Sequence, residues 1–540
     1  MKYISTRGGD AQLTFEEAVL TGLAPNGGLY IPEKIPTLPS NWQTIWENYS
    51  FVDLSVAVLS LYISEDEISS RDLRALVEKS YSTFRHPDVT PVYKISDKLF
   101  ILELFHGPTF AFKDVALQLL GNLFEFFLRR RNARKNPGEQ PEKLTVVGAT
   151  SGDTGSAAIY GLRNKANIDI FILHPRGRVS PIQEAQMTTV TDSNVHNIAV
   201  KGTFDDCQDI VKSLFADRAF NEKHRLGAVN SINWARILAQ TVYYFLAYFH
   251  ARRSLSFDVE LQFVVPTGNF GDILAGYYAK RMGVPMGKLV VATNANDILA
   301  RFWKSGRYEK QDSGAQPPTD GLPVAPVSGA SDGKQAGDGV QETLSPAMDI
   351  LVSSNFERLL WYLAFESAKG ASDEAKRAAA GATIDGWMKE MKADGRVDVP
   401  VAALELARRD FLAERVSDAQ TLGTIRQYFE GRLSYVADPH TAVGLTAAGL
   451  VAGQNSALTV QIVLATAHPA KFSEAVTRAL ASAADFDFDR DVQPPEFKGL
   501  LERPRRVIGV DAPKVDLVKE VIEEHVQKPV AQDVSAGASV

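Results

Sequence analysis

One cysteine, Cys207, is all the thiol chemistry in 540 residues, so no intrachain disulfide can form. A long chain so poor in thiols fits a reducing compartment. Long apolar runs are missing as well. The two richest stretches, "VALQLLGNLFEFFL" and "ILAQTVYYFLAYFH", are broken by polar residues and fall short of the roughly 20 apolar positions a membrane-spanning helix needs. The first residues, "MKYISTRGGDAQLTFEEAVL", hold no apolar core and carry Asp and Glu early, which argues against a secretory signal. A net charge of −7 gives no reason to expect nucleic acid or an anionic membrane as partner. There is no H-E-x-x-H and no paired-cysteine spacing, so no catalytic metal is expected. The expectation left standing is a soluble, cytoplasmic protein.

What is present is an α/β pattern. Hydrophobic residues make up 45% of the chain and charged residues 23%, the balance of a globular protein, and the length calls for two or three domains. Short apolar runs at 98–104, 143–149, 168–174, 195–200, 259–265, 288–293 and 460–466 alternate with amphipathic segments, which reads as open, mostly parallel sheets flanked by helices. Residues 1–95 read as an N-terminal domain, with turn signals in "APNGGLYIPEKIP". Residues 96–310 and 341–540 read as a catalytic region of two α/β subdomains. Between them, 311–340 is rich in Gly, Pro, Ser, Asp and Ala without apolar periodicity, as in a flexible insertion. Residues 345–435 look mainly helical, and the last ten residues frayed.

Parallel sheets bind ligands beyond the carboxyl ends of their strands. Three such loops draw attention. In "HGPTFAFKDVALQ", Lys113 stands between Phe112 and Asp114 at the start of an amphipathic helix. It is either a snorkelling lysine paired with Asp114 or an amine kept as free base by apolar neighbours, able to form a Schiff base. In "VVGATSGDTGSAAIYGL", glycines and the hydroxyls of Thr150, Ser151 and Thr154 crowd a helix start; this is neither a Walker A loop nor a G-x-G-x-x-G fingerprint. Such a start suits an anion, or else merely caps the helix. In "VVPTGNFGDILAGYYAKRMG", Gly268, Asn269, Phe270 and Gly271 lead to Asp272 and repeat that design. Two glycine loops and a loop lysine on one sheet imply a site for two anions and a reactive amine, which points to a phosphorylated aldehyde such as pyridoxal phosphate and an acidic substrate.

The motifs "HGPTFAFKD", "ATSGDTGSAA", "SINWARILAQ", "PTGNFGDILAGY", "LSPAMDILVSSNFERLLW", "DPHTAVG" and "TAHPAKF", in this order, closely resemble the threonine synthase family. "YISTRGG" and "FEEAVLTGLAPNGGLYIPEKIP" resemble its longer, fungal-type form. The resemblance implies a pyridoxal-phosphate enzyme of the tryptophan-synthase-β fold (fold type II). It would convert O-phospho-L-homoserine and water to L-threonine and phosphate. It makes Lys113 the Schiff-base lysine, Gly268 through Asp272 the cofactor-phosphate loop, and Thr466 the hydroxyl facing the pyridine nitrogen. Ser151, Asp153 and Thr154 match the substrate-side loop, with Asn233 and Arg236 of "SINWAR" as further substrate contacts; a structural role for Arg236 is equally open. Lys201 and His106 are other cations that nothing in the spacing selects, and His440 and His468 read as structural hydrogen bonders. The resemblance further implies a monomer and no activation by S-adenosylmethionine. Three rivals stand beside it: another fold type II enzyme, such as threonine dehydratase or cysteine synthase; a non-catalytic relative that binds the cofactor; and a plain α/β binding protein with no cofactor. The loop "TSGDTG", in place of S-S-G-N, favours a phosphorylated substrate.

Overall fold

The computed structural model describes residues 1–255, 259–310, 334–335 and 339–526. Most of the 311–340 insertion and all of the last ten residues lie outside the described residues. The chain forms two compact units. The first holds Met1–Ala18, Gly22–Ala116 and Ser231–Pro495; the second holds Val19–Thr21, Leu117–Asn230 and Glu496–Val540.

The first unit is built on a six-stranded sheet in the order Phe411–Arg415, Leu289–Thr293, Glu260–Pro266, Thr459–Ala465, Leu99–Glu103, Val92–Ser96. The first five strands run parallel, with Val463 set opposite Val264 on one side and Ile101 on the other. Val92–Ser96 closes one edge antiparallel, with a bulge between Lys94 and Ser96. The Thr459–Ala465 strand is buried at every position, as a strand covered on both faces must be, and this explains why its residues are mostly apolar. The helix Pro439–Val451 packs across four of these strands, while Trp234–Ser254 lies against Gly271–Met282. Trp234–Ser254 is buried almost all round, so it is an internal helix without a solvent face.

The second unit carries a five-stranded parallel sheet in the order Ile508–Val510, Val195–Val200, Ile168–Pro175, Leu144–Ala149, Leu226–Gly227. Val147, Phe171, Ile198, Ile210 and Val518 are among its core residues, and Cys207 sits with them. Burial pushes the Cys207 thiol up to about 12, which leaves it unreactive.

Two differences from the sequence reading follow. The strand Leu144–Ala149 belongs to this second sheet, so the two glycine loops do not share a sheet. Strand order is set by tertiary packing, on which apolar runs are silent. The region 345–435 is helical at Phe356–Ser367, Asp373–Asp394, Val401–Asp410 and Asp418–Glu430, but Phe411–Arg415 is an edge strand. It follows its helix with no turn residue between, and its middle three residues are only partly buried, so "FLAER" carries no strand signature.

Candidate active site

In the first unit, the strands Leu99–Glu103, Thr459–Ala465 and Glu260–Pro266 are immediate neighbours and end on the same edge. The loops that leave them carry Lys113, Thr466 and the 268–272 glycine segment.

Lys113 is the first residue of the helix Lys113–Ala133 and is only 8% exposed, its Nζ lying 5.0 Å from the Phe112 ring centre. The loop before it is fastened from several sides. The N–H of Phe112 donates to the carbonyl of Thr466 (2.8 Å), and that of His468 to the carbonyl of Phe110 (3.1 Å). Asp114 turns back on the loop, where its carboxylate accepts from the N–H (2.8 Å) and the hydroxyl (2.7 Å) of Thr109. Burial raises the pKa of Asp114, and the Thr109 bonds oppose that rise. Gly107 is required here, since a Cβ on it would meet the Asp114 Cβ at 2.4 Å. The buried Lys471 donates to the carbonyl of Thr109 (2.8 Å), and the Arg85 guanidinium lies 3.9 Å from the Phe110 ring centre. Phe110 itself holds a left-handed backbone (φ 60°), so the fastening offsets a strain of about 1 kcal/mol or more. His468 stands edge-on to Phe105 and Phe110, and burial presses its pKa down to about 4.

Thr466 follows the central strand directly and is 5% exposed. Next to it, the glycine segment turns its side chains away from its own backbone. Phe270, also left-handed (φ 62°), packs on Trp303, Phe356 and Phe411. Asp272 reaches the buried hydroxyls of Tyr243 and Tyr244. What the segment presents is backbone, including the first N–H groups of the helix Gly271–Met282, which have no acceptor within the helix. A Cβ on Gly268 would sit 3.0 Å from the Ala347 carbonyl oxygen and the Met348 Cα, so the neighbouring backbone would have to give way to any larger residue.

Ser353, Ser354 and Asn355, to which the sequence reading gave no role, hold this segment. Ser353 Oγ donates to the Gly268 carbonyl (2.7 Å), Ser354 Oγ to Asn269 Oδ1 (3.0 Å), and Asn355 Nδ2 to the Asn269 carbonyl (3.0 Å). Arg358, wholly buried, bonds Asn355 and the carbonyls of Tyr30 and Ile232. Burial brings its pKa down to about 10. His440 accepts from the Ala347 N–H at Nε2 (3.2 Å) and shares its Nδ1 proton with Asp438 (2.8 Å), which fixes one neutral tautomer. These residues lie within quoted motifs, yet serine and asparagine at a helix start read only as caps.

Asn233 and Arg236 also belong to the first unit. Asn233 caps the helix Trp234–Ser254, its Oδ1 accepting from the Ala235 N–H (3.1 Å). Arg236 is 4% exposed and burial lowers its pKa to about 10. His106 pairs with Glu103 (2.8 Å).

Ser151, Asp153 and Thr154 belong to the second unit, at the end of the Leu144–Ala149 strand and the start of the helix Asp153–Leu162. Thr150 Oγ1 closes the turn by accepting from the N–H groups of Gly152 (3.0 Å) and Gly155 (2.9 Å). Asp153 is buried and accepts from Gln183 Nε2 (2.7 Å), while Ser151 is exposed and Thr154 partly so. Gln183 escaped the sequence reading because a lone glutamine carries no chemical signature. Lys201 is exposed at the end of another strand of the same sheet. Among the described residues, no three His, Cys, Asp or Glu side chains are grouped to hold a metal, and no helix is long and apolar enough to cross a membrane.

Comparison with known proteins gives this geometry a family. Three family models match in order: threonine synthase N terminus over residues 2–81, pyridoxal-phosphate dependent enzyme over 85–348, and threonine synthase, C-terminal over 441–522. The threonine synthase of Schizosaccharomyces pombe is 55% identical over 524 residues, covering 97% of this chain and 98% of its own. The crystal structure of threonine synthase from yeast matches with a TM-score of 0.88 at 49% identity, over 97% of this chain and 98% of that one. The crystal structure of PLP-bound threonine synthase from Brucella melitensis matches with a TM-score of 0.82 at 39% identity, over 97% and 99%. The chain belongs to the threonine synthase family, whose pyridoxal-phosphate-dependent, fold type II architecture it shares.

Proposed function

We propose that this enzyme converts O-phospho-L-homoserine and water to L-threonine and inorganic phosphate, the last step of threonine biosynthesis, by γ-elimination followed by β-addition. One observation carries the assignment of its machinery: Lys113, Thr466 and the glycine segment leave three adjacent parallel strands at one edge of a single sheet.

The residues fit pyridoxal phosphate. The backbone of Gly268, Asn269, Phe270, Gly271 and Asp272 offers N–H donors at a helix start for its phosphate, with the Gly268 and Phe270 conformations fixed by their packing. Thr466 would offer its pyridine nitrogen a neutral hydroxyl, which would leave less positive charge on the ring than a carboxylate. Lys113 would supply the amine that holds its aldehyde. When bound, the cofactor supplies an electron sink for carbanions of the substrate.

The proton transfers fall to Lys113. Once the substrate α-amine has displaced it, its free Nζ takes the proton from the substrate Cα and then one from Cβ, so that the γ-phosphate can leave. It returns a proton to Cγ, and to Cα after water has added its hydroxyl at Cβ, the proton that the water gives up being taken by the departing phosphate. A buried amine among phenylalanines suits this work, because water competes little for its protons. Ser151, Asp153, Thr154, Asn233 and Arg236 are assigned to the substrate. The two partly or fully exposed hydroxyls and the helix start beside them suit an anionic group. The neutral donors hold the leaving phosphate without trapping it. The lone buried thiol supports a cytoplasmic setting, and the family resemblance supports a monomer.

The test is phosphate release from O-phospho-L-homoserine with threonine quantified in the same tube, for wild type and Lys113→Ala. Equal amounts of both products from the wild type and neither from the variant are expected. A yellow wild-type protein that yields neither product would overturn the reaction and leave only the cofactor.

A further inference from the structure

Asp272 is the one charged residue of the glycine segment, and its carboxyl does not face the loop. It is 6% exposed and lies under the first turn of the helix Gly271–Met282. Oδ1 accepts from the hydroxyls of Tyr243 and Tyr244 (the latter at 3.1 Å), and the Tyr244 hydroxyl also lies 2.9 Å from the Asp272 carbonyl. Oδ2 has no hydrogen-bond partner among the described residues.

Two tyrosines in succession on a helix normally point about 100° apart. Here both wholly buried rings converge on one carboxyl, their centres 5.1 Å apart. Gly276 makes this possible: a Cβ there would strike the Tyr244 ring at 2.6 Å. A buried carboxyl gripped by two buried phenols is costly to build for packing alone. It lies behind the N–H groups that present an anion with its binding site.

We propose that Asp272 is a positioning residue for the phosphate held at the glycine segment: gripped by Tyr243 and Tyr244, its carboxyl takes up a proton from solvent as the dianion binds, so the tyrosine pair sets how tightly that phosphate is held. This rests on the reading of the segment as the cofactor-phosphate site. An ionised Asp272 would compete with the phosphate for the same helix start, whereas a neutral one leaves the N–H groups to the ligand. The groups that face the carboxyl are the two phenols of Trp234–Ser254, with Arg236 of the same helix acting on Tyr243. Burial pushes the Asp272 pKa up to about 7 and the two phenols pull it down, so its charge changes in the working range.

The test measures the pyridoxal phosphate dissociation constant of the full-length protein between pH 6 and 8.5, by equilibrium dialysis, for wild type, Asp272→Asn and Tyr243→Phe. The cofactor and Lys113 titrate alike in all three, so the ratio of wild type to Asp272→Asn isolates the carboxyl. That ratio should stay near 1 at pH 6 and rise about tenfold by pH 8.5, the factor for a one-unit pKa change on binding. Tyr243→Phe removes a donor to the carboxylate and should move the rise to higher pH. A ratio equal at every pH would overturn the proposal, since a structural aspartate weakens binding uniformly. So would a Tyr243→Phe profile that superimposes on the wild type, which decides the matter even where Asp272→Asn fails to fold. Wild-type binding that Gly268→Ala leaves unchanged would instead overturn the phosphate-site reading beneath it.

Discussion

The N–H of Phe112 donates to the carbonyl of Thr466 across 2.8 Å, so the residue before the lysine and the end of the central strand move as one piece. The bond uses only backbone, which leaves the Thr466 side chain free to be changed without releasing Lys113. Thr466→Val therefore separates chemistry from architecture. Loss of one hydroxyl contact is worth about 1–1.5 kcal/mol, or roughly tenfold in rate. We expect kcat to fall about tenfold with the yellow cofactor band retained. A variant that loses the cofactor altogether would show that Thr466 holds the loop and does not tune the ring.

Gly268→Ala tests the glycine segment itself. Its Cβ would sit 3.0 Å from two backbone atoms of Ala347 and Met348, and backbone cannot rotate out of the way. Overpacking of this kind costs about 1–3 kcal/mol. The cost should appear as weaker cofactor binding, because the segment 346–348 is held in turn by His440 and the N–H of Ala347. Cofactor titration by fluorescence checks this; unchanged affinity would mean the segment binds no phosphate.

The parts of this site that could be read in the sequence share a property. Lys113, the glycines at 268 and 271 and Thr466 all stand in the segments that follow mostly apolar runs, and such runs are the strongest signal a buried parallel strand leaves. The supporting residues were not legible. Ser353 and Gly268 are 85 positions apart, and Gln183 and Asp153 are 30 apart. Nothing in a serine or a glutamine announces such a partner. Tyr243 and Tyr244 read as part of an apolar helix, and only the fold reveals that both hydroxyls meet Asp272. The placement of Leu144–Ala149 in its own sheet was hidden for a related reason, since strand order depends on contacts between distant segments.

Arg358 is the tie between the "SSNF" turn and two other backbone segments. Its Nε and Nη atoms donate to the carbonyls of Tyr30 (3.0 and 2.9 Å) and Ile232 (2.7 Å), and it also bonds Asn355. A lysine keeps the charge but cannot reproduce that fork, so carbonyls are left buried without donors. Arg358→Lys should lower stability by about 3 kcal/mol in urea unfolding. Because Asn355 also holds the Asn269 carbonyl, cofactor affinity should fall with it. A stable variant with normal affinity would show that the turn holds itself.

Acid should loosen the lysine loop through His468. Burial, the nearby His106, and the charges of Arg85 and Lys471 press its pKa down to about 4 from an ordinary 6.5, while Asp438 opposes them. The folded protein thus prefers the neutral ring. Its contribution is complete above pH 6.5 and is lost as the pH falls towards 4, because the unfolded chain binds the proton first. At pH 5 the loss is about 2 kcal/mol relative to pH 7.5. His468→Asn keeps an acceptor for the Ala470 N–H, which His468 Nδ1 now accepts at 3.2 Å, but removes the titration. Urea midpoints at pH 7.5 and 5 should show the wild type losing about 2 kcal/mol more than the variant over that interval. Equal losses in the two proteins would place the acid sensitivity elsewhere and leave His468 as packing between Phe105 and Phe110.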